Sequence, residues 1–277
     1  MGRLIILSCQ RQIPIESREH RILAGIFELL TADNITPGIM KRISYVLVLV
    51  WMTTASSFAN SSKDFTNKAD AFFKKYVKNG LVAYKAINAD KAEITSLYKE
   101  IGLMNLSAFS DSEKKAFFIN AYNLIVIYWV AEYYPLKSPL DKSGFFDKVK
   151  HKVAGEELSL NALEIKKLLL PYKDGRFHFV LACAAKSCPP LASYAIQPDK
   201  LEQQLNERTT LSLNNSEWLR VENAQRKVAL SKIFDWYKGD FTQKGSAIDW
   251  INQYKKVKIP TDFKIEYYEY NWALNEG

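Results

Sequence analysis

The sequence predicts an α+β fold: one long buried central helix packed on a small mixed or antiparallel sheet, with peripheral helices. Three observations carry this. Ser110-Asp111-Ser112-Glu113 has the serine–glutamate spacing of a capping box. Behind it, Phe117 to Val130 (FFINAYNLIVIYWV) is apolar on every side, and a helix apolar all round is buried. Arg176 to Leu191 (RFHFVLACAAKSCPPL) is largely apolar on both alternating faces as far as Cys183, the pattern of an interior strand.

The first 60 residues read differently from the rest. Met40-Lys41-Arg42 is a basic start, residues 43–55 (ISYVLVLVWMTTA) are uncharged and mostly apolar, and Ser57-Phe58-Ala59 ends the run with small residues. That is the pattern of a secretory signal peptide cleaved after Ala59. The apolar run is shorter than the ~20 residues that span a bilayer. Residues 1–39 then read as an over-extended start, 40–59 as the signal peptide and 60–277 as a single globular domain. The alternative is a cytoplasmic extension ahead of an uncleaved anchor. The expected location is periplasmic or secreted, with no stable membrane span after cleavage. Cys9 and His20 fall in the leader and are excluded from any site.

Apolar residues make up 48% of the 277 and charged residues 25%, enough for a sizeable core without staples. The net charge of +8 is spread in pairs such as Lys74-Lys75, Lys166-Lys167 and Lys255-Lys256. Nucleic-acid binders gather their charge in a patch or stripe, so no nucleic-acid partner is expected. The charge reads as a solvated surface with weak attraction to anionic envelope polymers, and the expected partner is a peptide-like or polymeric envelope ligand.

In order along the chain, residues 64–77 have helical spacing of Phe65, Ala69, Phe72, Phe73 and Tyr76, stopped by Asn79-Gly80. Residues 81–87 form a short extended run, and 90–102 return to helix. The central helix runs from Asp111 to about Tyr134, where Pro135 closes it. Asn120, Tyr122 and Asn123 lie inside its apolar cylinder, so each needs a partner: either neighbouring backbone or a ligand in a cleft. Residues 135–150 are a loop anchored by Phe145 and Phe146. Ser159 caps a helix over 160–170, ended by Pro171, and Glu164 within it faces either solvent or a buried cation. The strand over 177–183 follows, and Gln197-Pro198-Asp199 opens a helix to about Leu211. Two strands, 218–221 and 227–230, precede short helices after Ser231 and over 248–254. Residues 263–274 read as a final aromatic strand.

The chemistry concentrates on Cys183, Cys188 and His178. In one reading Cys188 is a nucleophile, His178 its base, and Glu164, Asn120 or Asn123 the group that orients the imidazole. An adjacent imidazole raises the thiolate fraction of a thiol whose pKa is otherwise ~8.5. In the other reading Cys183 and Cys188 are paired across a chain reversal, which a disulfide's Cα separation of roughly 4.4–6.8 Å permits. Strand geometry favours the second, because it puts Cys183 about 16 Å from His178 and on the opposite face. A third possibility is a non-catalytic ligand-binding module with a cleft lined by Asn120, Tyr122, Asn123, Arg176 and Trp236, or a scaffold or interaction module of the cell envelope, which predicts an exposed apolar patch instead. Arg176 and Glu164 are also candidates for a buried ion pair. No Gly-rich phosphate loop, nucleophile elbow or dinucleotide fingerprint occurs, and only His151 and His178 remain beside the cysteine pair. No metal or other cofactor is therefore expected.

Five stretches in order resemble the domain of unknown function 547 family: FFINAYNL (Phe117 to Leu124), ELSLNALE (Glu157 to Glu164), RFHFVLACAAKSCPPL, LSKIFDWYKGDF (Leu230 to Phe241) and YNWALN (Tyr270 to Asn275). The family core lies at about 106–220, with a C-terminal part over 221–277. The family usually has Gly where Ala184 sits and often Asp where Asn271 sits. The resemblance brings no settled activity with it. Its helix-then-sheet order is similar to a papain or transglutaminase type of core, an analogy of fold alone.

Overall fold

The computed structural model describes residues 62–277; the leader assignments for 1–61 lie outside the described residues. The first helix, α1, covers 62–76 and is followed by a small hairpin, β1 (Val77–Lys78) with β2 (Leu81–Val82). The expected extended run ends there, because the chain coils at once into α2 (Tyr84–Ala89) and then α3 (Ala92–Leu103).

The central helix α4 runs over Asp111–Glu132, and its capping box is formed as the sequence requires. The Ser110 side chain accepts from the Glu113 N–H, and Glu113 accepts from the Ser110 N–H at 2.9 Å. Phe117 to Ile127 is buried without interruption. Because α4 is apolar all round, it needs partners all round, and it packs against α2, α3 and the next helix, α5. That helix is Leu160–Leu163, which continues as a π-helical stretch, Glu164–Leu169, and a last α-turn, Leu170–Tyr172. A hairpin of β3 (His151–Val153) and β4 (Glu156–Leu158) lies against α3.

Residues 177–183 are not a strand. They begin in a 3₁₀ turn, Gly175–Phe179, and continue as irregular chain. The Asp174 side chain accepts from the Arg176 N–H at 2.9 Å and starts the turn. The run is apolar on both sides because it lies between two cores. Phe177 joins the cluster around α4, and Phe179 joins a second cluster built on Trp218, Phe234, Phe241 and Ile251. Burial from both sides imitates the pattern of an interior strand.

The helix α6 (Leu201–Leu213) packs on this turn. The remaining sheet has β5 (Arg220–Glu222) antiparallel to β6 (Lys227–Leu230), with β7 (Lys264–Tyr267) added parallel to β6. It is small and mixed, in keeping with the α+β expectation. Three short helices connect β6 to β7: α7 (Ile233–Trp236), α8 (Lys238–Phe241) and α9 (Ala247–Asn252). The final strand is shorter than the sequence suggests. After Tyr267 the chain becomes a tail strapped along residues 184–187. The N–H groups of Lys186 and Ser187 donate to Ala273 and Asn271 carbonyls, and the Asn275 N–H donates to the Ala184 carbonyl at 3.0 Å.

Ala184, where the resembling family usually has Gly, holds φ +60°. The tight turn after Cys183 is thus kept by a residue with a Cβ, at about 1–2 kcal/mol of backbone strain. Gly80 is needed for a different reason. At φ +82°, a Cβ on it would lie 2.6 Å from the Pro190 side chain, where the segment after Cys188 crosses the first hairpin.

Candidate functional site

The two cores meet around a cavity of about 270 Å³. Its floor comes from three elements. Tyr122 projects from α4, Glu164 opens the π-helical stretch of α5, and His178 sits in the 3₁₀ turn. The sequence places an acid among leucines at 164, and the structure answers which way it points. Glu164 is buried and lies beside His178, with its Oε1 3.8 Å from Nδ1. The Tyr122 and Tyr237 hydroxyls interact with it and favour its charged form. Burial raises the Glu164 carboxyl above the usual range, against the opposing pull of His178 and the two hydroxyls. Burial likewise pushes the Tyr122 and Tyr237 hydroxyls up, so both remain donors.

On its other side, His178 Nε2 donates to Asp240 Oδ2 at 2.7 Å. Tyr237 covers the ring, with centroids 4.2 Å apart. Both imidazole nitrogens therefore face carboxylates. The Asp240 contact is a hydrogen bond that orients the ring, and the longer Glu164 contact is not.

Cys183 and Cys188 also line the cavity, and they are joined as a disulfide with Cα atoms 6.2 Å apart. The strand expectation separated Cys183 from His178, but the turn brings both to one space. The Tyr270 hydroxyl lies 3.2 Å from Cys183 Sγ and 3.3 Å from Cys188 Sγ. The Cys183 N–H donates to Cys188 Sγ at 2.9 Å. The loop is held from behind. Trp218 Nε1 donates to the Ser187 carbonyl, and the Arg208 guanidinium donates to the Pro190 carbonyl.

The strapped tail delivers the wall of the cavity. Tyr270 and Trp272 stand next to Trp236, with ring centroids 4.8 Å (Tyr270–Trp272) and 4.9 Å (Trp236–Tyr270) apart. Trp236 stacks on Trp272 at 5.9 Å and is 49% exposed.

Of the residues singled out from sequence, Cys188, His178, Glu164, Tyr122 and Trp236 converge on this cavity. Asn120, Asn123 and Arg176 do not line it. Asn120 exchanges two hydrogen bonds with the Ile196 backbone. Asn123 clamps the Val180 carbonyl at 2.8 Å and the Ala182 N–H at 2.9 Å. Both amides are saturated by loop backbone, which is why a buried helix tolerates them. Arg176 pairs with Asp174 and Glu202 rather than with Glu164. Asp240, Tyr237, Tyr270 and Trp272 went unassigned in the sequence. Their only mark was membership of the LSKIFDWYKGDF and YNWALN stretches. Among the described residues no group of three or more His, Cys, Asp or Glu side chains is placed to hold a metal ion.

Residues 106–211 match the family described as protein of unknown function, DUF547. The match covers Tyr122, Glu164, His178 and both cysteines, and stops short of the aromatic wall. No curated protein and no solved structure matches the chain. No described helix is long and apolar enough to cross a membrane.

Proposed function

We propose that this is an exported ligand-binding domain, whose cavity seats part of a peptide-like or polymeric envelope ligand. The observation that carries the reading is Trp236. It stays half exposed at the mouth of a cavity whose floor supplies hydroxyl donors and a carboxyl group. An exposed aromatic face beside buried, orienting polar groups is the usual build of a binding site. The oxidised sulfur of Cys188 and the doubly engaged His178 favour binding over catalysis in this state. Trp236→Ala is expected to weaken binding about tenfold, the value of one aromatic contact of ~1.4 kcal/mol. Calorimetric titration with short peptides and N-acetylated oligosaccharides measures it. Affinities unchanged by the substitution would remove Trp236, and the reading with it. Fractionation of cells expressing the full chain tests export separately.

The shared cavity favours one alternative, a thiol-dependent hydrolase or acyl transferase. After reduction, Cys188 would act as nucleophile, His178 as base and Glu164 as the group behind the imidazole. The reduced protein should then release nitrophenol from a nitrophenyl ester, and Cys188→Ser should abolish this while Cys183→Ser does not. No turnover by the reduced protein rules this alternative out.

A further inference from the structure

We propose that the Cys183–Cys188 pair is a thiol–disulfide exchange site, in which Cys183 receives the incoming thiolate and Cys188 leaves. The exchange does not depend on the ligand that the cavity binds. The two cysteines are unequal. Both cysteines line the cavity, but Cys183 is partly exposed, whereas Cys188 is buried at 6% exposure. A thiolate arriving through the cavity meets Cys183 first.

The hydrogen bonds point the same way. Cys188 Sγ receives the Cys183 N–H at 2.9 Å and has the Tyr270 hydroxyl at 3.3 Å. Cys183 Sγ has the Tyr270 hydroxyl alone. A sulfur that leaves as a thiolate is stabilised by donors already aimed at it, and a better-stabilised thiolate leaves faster. Burial keeps the Tyr270 phenol protonated, so it stays a donor throughout. Two backbone supports hold this arrangement while the bond is broken. The tail strap fixes Tyr270, and Arg208 and Trp218 fix the loop carrying Cys188.

The chemistry balances with a dithiol as co-substrate. One of its thiolates attacks Cys183 Sγ, a mixed disulfide forms there, and the Cys183–Cys188 bond breaks with its electron pair left on Cys188 Sγ. The second thiolate of the dithiol then attacks the substrate sulfur of the mixed disulfide. This closes the substrate disulfide and releases Cys183 as a thiolate. The dithiol loses two electrons, the cysteine pair gains them, and the two thiol protons pass to solvent or to the cysteines.

The test uses 2-mercaptoethanol as a monothiol that stops at the mixed disulfide. The folded protein is exposed briefly, quenched in acid, alkylated and mapped by peptide mass. The expected first species carries the adduct on Cys183 and the alkyl group on Cys188. An adduct on Cys188, or a pair that resists the thiol until the protein unfolds, overturns the proposal. Tyr270→Phe, with its far-UV circular dichroism unchanged, should slow the step at least about tenfold, as loss of a hydrogen bond to a charged sulfur implies. An unchanged rate removes Tyr270 from the mechanism. Should that variant fail to fold, Cys183→Ser leaves Cys188 free. Its iodoacetamide reaction should then titrate below the ordinary thiol value of ~8.5. Titration at or above that value also overturns the proposal.

Discussion

Asn123→Ala is expected to cost about 3 kcal/mol of folding stability, because it strands two buried backbone groups at ~1–3 kcal/mol each. The amide binds the Val180 carbonyl and the Ala182 N–H, which strand partners would have taken had the segment been a strand. With the side chain cut back, neither group has a substitute partner, and both residues are buried. Urea unfolding of the two proteins at one pH measures the difference. The loss should shift the thermal midpoint by roughly 6–12 °C for a domain of this size. Asn123→Asp should also fold poorly, since it keeps an acceptor for Ala182 but presents a second acceptor to the Val180 carbonyl. A loss below about 1 kcal/mol would mean that solvent replaces the clamp.

A second large effect lies away from the cavity, at His151. This ring is 1% exposed, its Nδ1 is 3.1 Å from the Tyr98 hydroxyl, and its Nε2 has no partner. Burial lowers its pKa from 6.5 to about 4. Between those values the unfolded chain binds a proton that the folded one refuses, so stability rises with pH and is fully present above 6.5. At about 1.4 kcal/mol per pH unit, the contribution lost on acidification to pH 4 is on the order of 3 kcal/mol. Glu164 works in the opposite direction. Its raised carboxyl keeps a proton in the folded state that the unfolded chain releases, so its contribution falls as pH rises above the unfolded carboxyl value. His151→Phe should therefore abolish the acid sensitivity and leave the opposing slope visible. Glu164→Gln should make the loss on acidification steeper. Urea midpoints of the three proteins from pH 4 to 8 separate these effects, and parallel curves for wild type and His151→Phe would contradict the assignment.

Local signals made α4 legible from sequence. A capping box and an all-round apolar face are both written within one helix length. The stretch after it misled for a physical reason. Phe177 and Phe179 are buried in different cores, so alternation carried no information about backbone shape. What decided its conformation was the Asp174 carboxylate at its start and the Asn123 amide 57 residues away. The second of these is invisible to any local reading. The site was legible where its residues were chemically unusual: a histidine and two cysteines in an apolar run, and an acid among leucines. Asp240 stood in a polar stretch that any surface helix could show. Tyr270 and Trp272 were taken for strand, because nothing local announces that a tail will be strapped to the loop at 184–187. Tyr122 and His178 do share one space, whereas Asn120 and Asn123 serve the scaffold.

The cavity has a divided origin. Its floor lies inside the matched segment 106–211, and its aromatic wall is supplied from Trp236 onward. Two evolutionary pressures can thus act on one site through separate stretches of chain. Substitutions at Trp236 or Trp272 would retarget recognition, whereas Tyr237, Asp240 and Tyr270 in the same stretches touch the imidazole or the sulfurs and are not free to follow. Proteins that share this floor need not share a ligand, and inference of specificity across them should be drawn from the wall.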